Sequence, residues 1–133
     1  MTGRPQRLDG AECRRSLGER GVGRLVFTED ALPAVATLNY VVRAGALHFR
    51  TAAGTAVARC AGNAVVAFNV SPAVDPARGD APRGAAWSVT VTGRCRRADP
   101  GEEVRAALQA WAPGPREEFF SLDLALLEGF RLD

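Results

Sequence analysis

The sequence contains no lysine: all 17 of its basic residues are arginine. That excludes lysine Schiff-base chemistry, and any bound anion must be met by guanidinium or backbone N–H groups. The wealth of Ala, Arg and Gly points to GC-rich coding as the plain origin of this bias. Histidine and tyrosine occur once each, as His48 and Tyr40. Neither G-x-S-x-G nor H-E-x-x-H is present, so the local signatures of serine hydrolases and zinc peptidases are missing. A Ser/Cys–His hydrolase would need His48 to meet a distant nucleophile, and a lone strand histidine is more often structural. The three cysteines, Cys13, Cys60 and Cys95, form no C-x-x-C pair. Neither a metal site nor a disulfide framework is expected from them. Each reads as a small buried apolar residue in a reducing compartment. No run approaches a membrane span, and MTGRPQRLDG lacks an apolar signal region. The expected location is cytoplasmic. A net charge of +2 is too small to indicate a nucleic-acid partner.

What is present is the material of one globular domain over 1–133, with 47% hydrophobic and 24% charged residues. One core is within reach of that composition, but not a deep pocket walled on every side. A site shared between two copies would ease that limit. Leu8–Arg20 reads as a helix, with Asp9 and Glu12 as a capping-box pair and Cys13 and Leu17 as its apolar stripe. Gly21 and Gly23 are expected to break it. Strand-like runs follow at Arg24–Thr28, Ala34–Val42 and Ala46–Thr51, separated by turn signals at Glu29-Asp30 before Pro33 and at Arg43-Ala44-Gly45. Leu47 and Phe49 should share one face of the third run, with His48 and Arg50 on the other.

Gly54–Cys60 suggests one or two helical turns, Asn63–Val70 a strand, and Ser71–Ala86 a long irregular loop of the kind that is often functional. Trp87–Arg97 reads as a long strand, and Asp99 or Pro100 starts a helix to about Trp111, whose role is expected to be helix packing. Ala112–Arg116 is a Pro/Gly loop. Glu118–Leu127 fits strand or helix, with strand favoured for its first half. Five or six strands with helices at the start, middle and near the end imply an antiparallel barrel with peripheral helices. The acidic pairs Glu29-Asp30, Glu102-Glu103 and Glu117-Glu118 fall at turns or helix starts and read as solvated charge.

This poor catalytic inventory suits a protein whose cofactor does the chemistry. One segment offers a place for it: Arg50-Thr51-Ala52-Ala53-Gly54-Thr55, within His48–Ala58, between a strand and a short helix. Small residues let the backbone approach an anion, Arg50 supplies a planar donor, and Thr51 and Thr55 supply hydroxyls. As a bare pattern a surface turn accounts for it equally well.

The order helix-Cys13, Gly23-Arg24-Leu25, Pro33-x-Val35, Leu38-Asn39-Tyr40, Phe49-Arg50-Thr51-x-x-Gly54-Thr55 resembles the pyridoxamine 5'-phosphate oxidase-like split-barrel superfamily. The nearer likeness is to its short, flavin-binding, nitroimidazole-reductase-like branch. It runs from about Leu8 to Gly93 and resumes loosely near the C-terminus. The resemblance implies a mainly β fold with peripheral helices, a six-stranded antiparallel split β-barrel that forms an FMN-binding homodimer. In that family the strand matching Thr37, Leu38, Asn39 and Tyr40 lies along the isoalloxazine ring. Positions matching Arg50, Thr51, Gly54 and Thr55 hold the phosphate and ribityl chain, and those matching Trp87 and Ser88 reach the flavin from the other subunit. Ordinary packing is an equal reading for Trp87.

The family usually has Lys where this chain has Ala56. Loss of such a charge-assisted contact costs roughly 1.5–3 kcal/mol, or one to two decades of affinity. Arg59, one turn on, could point back to replace it, but it reads rather as a solvated helix arginine. Arg94, Arg96 and Arg97 read by default as a solvated strand end. The implied activity is transfer of hydride or electrons from reduced flavin to a small organic acceptor, with Asn39, Tyr40 or His48 as groups to position or protonate it. A deazaflavin-dependent reductase on the same barrel is one alternative, and a non-catalytic ligand-binding dimer with lost flavin binding is another. True pyridoxamine phosphate oxidation comes last. The usual C-terminal Trp/Arg segment is absent, and Glu128-Gly129-Phe130-Arg131 echoes it only faintly.

Overall fold

The computed structural model describes residues 5–72, 86–109 and 117–132. Most of the Ser71–Ala86 loop, Trp111 and the Ala112–Arg116 stretch lie outside those residues. Strand β1 (Pro5–Leu8) leads into helix α1 (Gly10–Leu17). Asp9 accepts a hydrogen bond from the Glu12 N–H at 2.8 Å, and the Glu12 carboxylate accepts one from the Asp9 N–H at 3.3 Å. That reciprocal cap satisfies two otherwise orphaned donors and fixes where the helix begins. Cys13 and Leu17 point into the core.

The helix stops earlier than the sequence suggests, at Gly18, whose φ of +64° suits glycine. Gly21 and Gly23 are therefore not helix breakers. They lie inside strand β2 (Arg20–Glu29), where the missing side chains make room for Tyr40 and Phe68. Asp30 and Ala31, both at positive φ, turn the chain into β3 (Leu32–Arg43). Ala44 and Gly45 do the same into β4 (Ala46–Ala52). Two left-handed residues in a two-residue connection match the twist of the flanking strands, so both hairpins are tight.

Helix α2 (Ala56–Cys60) and strands β5 (Val65–Val70), β6 (Ala86–Arg94) and β7 (Arg96–Arg97) follow. Helix α3 (Glu102–Gln109) and strands β8 (Glu117–Asp123) and β9 (Leu126–Leu132) complete the described chain. The strands form one antiparallel sheet in the order β1-β9-β6-β5-β2-β3-β4-β8-β7. Strands β6 and β7 lie far apart in that order yet are joined through the single residue Cys95. Its N–H donates to the Ala64 carbonyl at 2.8 Å and its carbonyl accepts from the Asn63 N–H at 2.7 Å. The sheet thus curls until its two arms meet, and a Cβ at Gly93 of β6 would lie 3.3 Å from Leu122 of β8.

Alternation along the strands fills the interior. Leu25, Tyr40, Leu47, Phe49, Phe68, Val89, Val91, Phe120 and Leu122 are buried. Phe49 stacks on Phe120 at 5.3 Å between ring centroids, and Tyr40 meets Phe68 edge-on at 5.5 Å. Outside the barrel, α3 lays Val104 and Leu108 on Phe119 and Val41.

The architecture is mainly β and split-barrel in class, but the described residues form nine strands rather than six. Strand β1 escapes a pattern-based reading because three of its four residues are exposed and it opens on proline. The turn at Leu124-Ala125 divides the last apolar segment into two strands, and Cys95 divides the Trp87–Arg97 run. Among the described residues no helix is long and apolar enough to cross a membrane.

Candidate functional site

Strand β4 sends Leu47, Phe49 and Thr51 inward and His48 and Arg50 outward. The strand ends at Ala52, and the turn that follows holds Gly54 at φ +86°. A Cβ at Gly54 would have no atom within 4 Å, so this stretch of backbone is open to approach. Thr55 caps α2, its Oγ1 accepting from the Ala58 N–H at 3.2 Å and donating to the Ala52 carbonyl at 2.9 Å. The same hydroxyl lies 2.8 Å from Thr51 Oγ1. Thr51, Gly54 and Thr55 are thereby drawn into one small polar turn.

Arg59 folds back over that turn. One guanidinium nitrogen donates to the Gly54 carbonyl at 2.7 Å and another to Glu29 at 3.1 Å. The sequence favours a solvated helix arginine for Arg59, but the side chain points back, so a cation stands at the turn although position 56 is alanine.

Arg50 goes elsewhere. Its Nε donates to the Leu108 carbonyl at 3.0 Å, and its Nη1 pairs with Glu117. Gln109 donates to the second Glu117 oxygen at 2.9 Å. The arginine side chain is 14% exposed and that of Glu117 only 4%. Within this chain the guanidinium is not brought together with Thr51 and Thr55, because successive strand residues face opposite ways.

Along β3, Thr37 and Asn39 face outward while Leu38 and Tyr40 turn toward the interior. The Tyr40 hydroxyl donates to the Leu17 carbonyl at 2.6 Å, and burial pushes its pKa up to about 12. Near neutral pH the hydroxyl is held protonated and engaged with Leu17. Trp87 is half-buried at the mouth of the barrel and walls a cavity of about 430 Å³. Arg20, Gly21, Gly23, Arg24, Thr37 and Tyr40 line it too. Ser88 faces the other side of β6, where Asn69 donates to it at 2.8 Å.

The cavity and the Thr51–Thr55 turn belong to opposite ends of β2, since Arg59 of the turn meets Glu29 at the strand's last residue. At about 3.3 Å per residue that separates them by roughly 20 Å. The structure brings Thr37, Tyr40 and Trp87 together, and Thr51, Gly54 and Thr55 together, in two places. Arg20 was not singled out from sequence. The only signal available was its spacing of four from Arg24, around two glycines.

His48 faces outward on β4, and its Nδ1 is buried without a hydrogen-bond partner among the described residues. Burial lowers its pKa from the ordinary 6.5, opposed by a backbone hydrogen bond with Arg43. The unfolded chain then takes up the proton before the folded one as pH falls. His48 accordingly contributes stability that is complete above about pH 6.5 and is lost progressively below it. Urea midpoints measured from about pH 7.5 down to about pH 5.5, above most carboxylate titration, should fall for the parent and stay flatter for His48→Gln. Equal slopes would remove His48 as their source.

Comparisons with known proteins place this geometry in context. Residues 9–128 match the sequence model of the pyridoxamine 5'-phosphate oxidase family. The chain is 30% identical over 132 residues to the uncharacterized protein Rv0080 of Mycobacterium tuberculosis, covering 94% of this chain and 84% of that one. The FAD binding protein from Mycobacterium smegmatis aligns with a TM-score of 0.70 and 27% identity, covering 98% of this chain and 97% of its own. An FAD-binding protein from Mesorhizobium loti shares the fold at a TM-score of 0.72 and 21% identity, covering 98% of each chain.

Proposed function

Because the chain belongs to the pyridoxamine 5'-phosphate oxidase family, we propose that it is a flavin-binding oxidoreductase whose phosphate cradle is the Thr51–Thr55 turn. The observation that carries this reading is Arg59 over the Gly54 carbonyl, beside the paired Thr51 and Thr55 hydroxyls. Backbone open at Gly54 and one guanidinium suit a phosphate group, and the two hydroxyls, bonded here to each other and to the Ala52 carbonyl, would turn to it on binding. FMN, with one phosphate, suits a single cradle. FAD is favoured by what the M. smegmatis relative binds. Side-by-side titration separates these two, and a deazaflavin added to the series tests the third form.

The flavin would supply hydride or electron transfer to a small organic acceptor. The protein's own groups would hold and orient. Thr37 and Asn39 present side chains on the outer face of β3, where the ring would lie. Tyr40 acts from the interior by fixing β3 against α1 through Leu17. Burial raises the pKa of Cys13 and pushes that of Cys95 up to about 12, which keeps both thiols protonated and out of the chemistry.

A homodimer forms part of the proposal. Val22 (52% exposed), Val26 (37%) and Val35 (63%) crowd the outer face of the β2–β3 hairpin, with Val26 directly opposite both Val35 and Ala67. Contiguous apolar surface of this kind marks an interaction site. A second copy seated there would bring the partner subunit's Trp87 and Ser88 to the flavin, which a single chain keeps away from its own cradle. Sedimentation should give the mass of two chains.

The activity is tested by following NAD(P)H consumption with added flavin and a nitroaromatic or quinone acceptor. Sustained turnover supports the oxidoreductase reading. A flavin-loaded protein that never turns over would instead favour the non-catalytic dimer.

A further inference from the structure

Helix α2, capped by Thr55 and carrying Arg59, has only five residues, too few to hold a helical shape alone in water. Its place depends on what grips it from outside. The grip comes from Arg94–Arg97, where the chain passes from β6 into β7. Arg94 donates to the Asn63 carbonyl at 2.7 Å, and the Cys95 backbone exchanges hydrogen bonds with Asn63 and Ala64. Arg97 reaches into the helix itself, its Nη2 donating to the Ala58 carbonyl at 2.5 Å. Arg94 and Arg97 are therefore not the solvated strand end that the sequence suggests. Both are spent on carbonyls of the segment behind the cradle.

Arg97 is fixed on three sides. Its Nη1 pairs with Glu118 of β8 at 2.7 Å. Its guanidinium lies over the ring of Phe120, its cross-strand partner, 5.3 Å from the centroid. A Cβ at Gly62 would come within 3.3 Å of its Nε, so the missing side chain there leaves the arginine its seat. From this anchored side chain a run of contacts leads to the cradle. The Ala58 carbonyl accepts from Arg97, the Ala58 N–H donates to Thr55 Oγ1, and that hydroxyl lies 2.8 Å from Thr51 Oγ1. The ion pair with Glu118 is half-exposed on the arginine's side, and such pairs add little to global stability. What Arg97 fixes is local, the seat of α2 on the barrel.

We propose that Arg97 is a positioning residue for phosphate binding. By holding the Ala58 carbonyl it sets α2, and through α2 the hydroxyls of Thr55 and Thr51, in the arrangement that meets the flavin phosphate. The role rests on the cradle reading above, in which Thr51, Thr55 and Arg59 meet the ligand and Arg97 acts through them.

The experiment compares the full chain with its Arg97→Gln variant, using FMN, FAD and riboflavin as probes. Riboflavin has the ring and ribityl chain without phosphate. In the variant, whichever of FMN and FAD binds the parent tighter should lose about tenfold in affinity. Riboflavin binding should stay at the parent's level, whatever that level is. Amide exchange supplies a readout that needs no ligand: α2 should exchange about tenfold faster in the variant, while β2 to β5 keep the parent's protection. An equal loss for riboflavin would make Arg97 a general prop of the fold and overturn the proposal. So would an unchanged flavin affinity or an unchanged α2. Adding Glu118→Gln separates position from charge, because Glu118 stands directly across from Thr51 on β4. The double variant should stay as weak as the single one. Its return to parent affinity would mean that Arg97 only cancels that carboxylate, and the positioning role would fall. If neither FMN nor FAD binds the parent better than riboflavin, the cradle reading fails and the role falls with it. If the parent favours phosphate and Arg97→Gln leaves that preference intact, only the role of Arg97 falls.

Discussion

Arg50→Ala is expected to cost the fold about 3–5 kcal/mol, the range for breaking one side of a buried ion pair. The pair is nearly dry, with Arg50 14% and Glu117 4% exposed, so removing the arginine strands a carboxylate that water cannot reach. The damage extends beyond the pair. Arg50 also holds the Leu108 carbonyl in the last turn of α3, where a cation offsets the helix dipole. An eight-residue helix has little stability of its own and depends on its docking. Arg50→Lys should recover only part of the loss, because an ammonium cannot copy the two-direction fork. Glu117→Ala should fall in the same range, and the joint replacement Arg50→Met with Glu117→Leu should cost much less than either. Urea denaturation of the parent and the four variants measures these differences. An Arg50→Ala variant within about 0.5 kcal/mol of the parent that nevertheless lost flavin would show that Arg50 serves the ligand rather than the scaffold.

Gly23→Ala is expected to destabilise by about 3 kcal/mol or more, a large effect for a single methyl group. The new Cβ would fall inside the van der Waals envelope of the Phe68 ring and 2.9 Å from the Asn69 carbonyl oxygen. Neither neighbour can give way cheaply. Phe68 is fully buried between Tyr40 and Phe49, and the carbonyl belongs to β5, which is paired with β2 at this point. Gly10→Ala provides the contrast, because a Cβ there meets nothing within 4 Å and the residue begins a helix. Thermal melts of the two variants should differ widely. A Gly23→Ala protein as stable as the parent would mean that β2 and β5 are not packed as described.

These two residues also show where the sequence was legible and where it was not. Local signals were read correctly: the Asp9–Glu12 cap, the inward Leu47 and Phe49, and the turn that gathers Thr51, Gly54 and Thr55. Each depends on neighbours within a few positions. Gly23 was misread because a glycine after a helix resembles a stop, while its real constraint is a ring 45 positions away on β5. Arg50 looked available because its strand predicts only which way it faces, and its partner lies 67 residues further on. Strand β9 was hidden because its pairing with β1 and β6 is long-range, and its exposed Leu126 and Leu132 blur the alternation. Arg59 was read as solvated for a related reason. A long flexible side chain on an exposed helix is placed by Glu29, a strand away.

The Trp87 cavity lay further still from the reach of sequence reasoning. Its lining comes from α1, β2, β3, the end of β5 and β6, and no motif links them. Trp87 was noticed, but only as a residue that reaches another subunit's flavin or packs in the ordinary way.

The cradle at Thr51–Thr55 with Arg59 above it is the central claim, and flavin affinity tests it most directly. The purified protein should be titrated with FMN and with FAD, read by flavin fluorescence and by melting temperature, alongside Thr55→Val and Arg59→Ala. The account expects saturable binding of one flavin per chain and a rise in melting temperature. It also expects a loss of about tenfold in affinity in each variant, as for one charge-assisted or hydroxyl contact to phosphate. Absence of binding at saturating flavin, or equal affinity in parent and both variants, would contradict it.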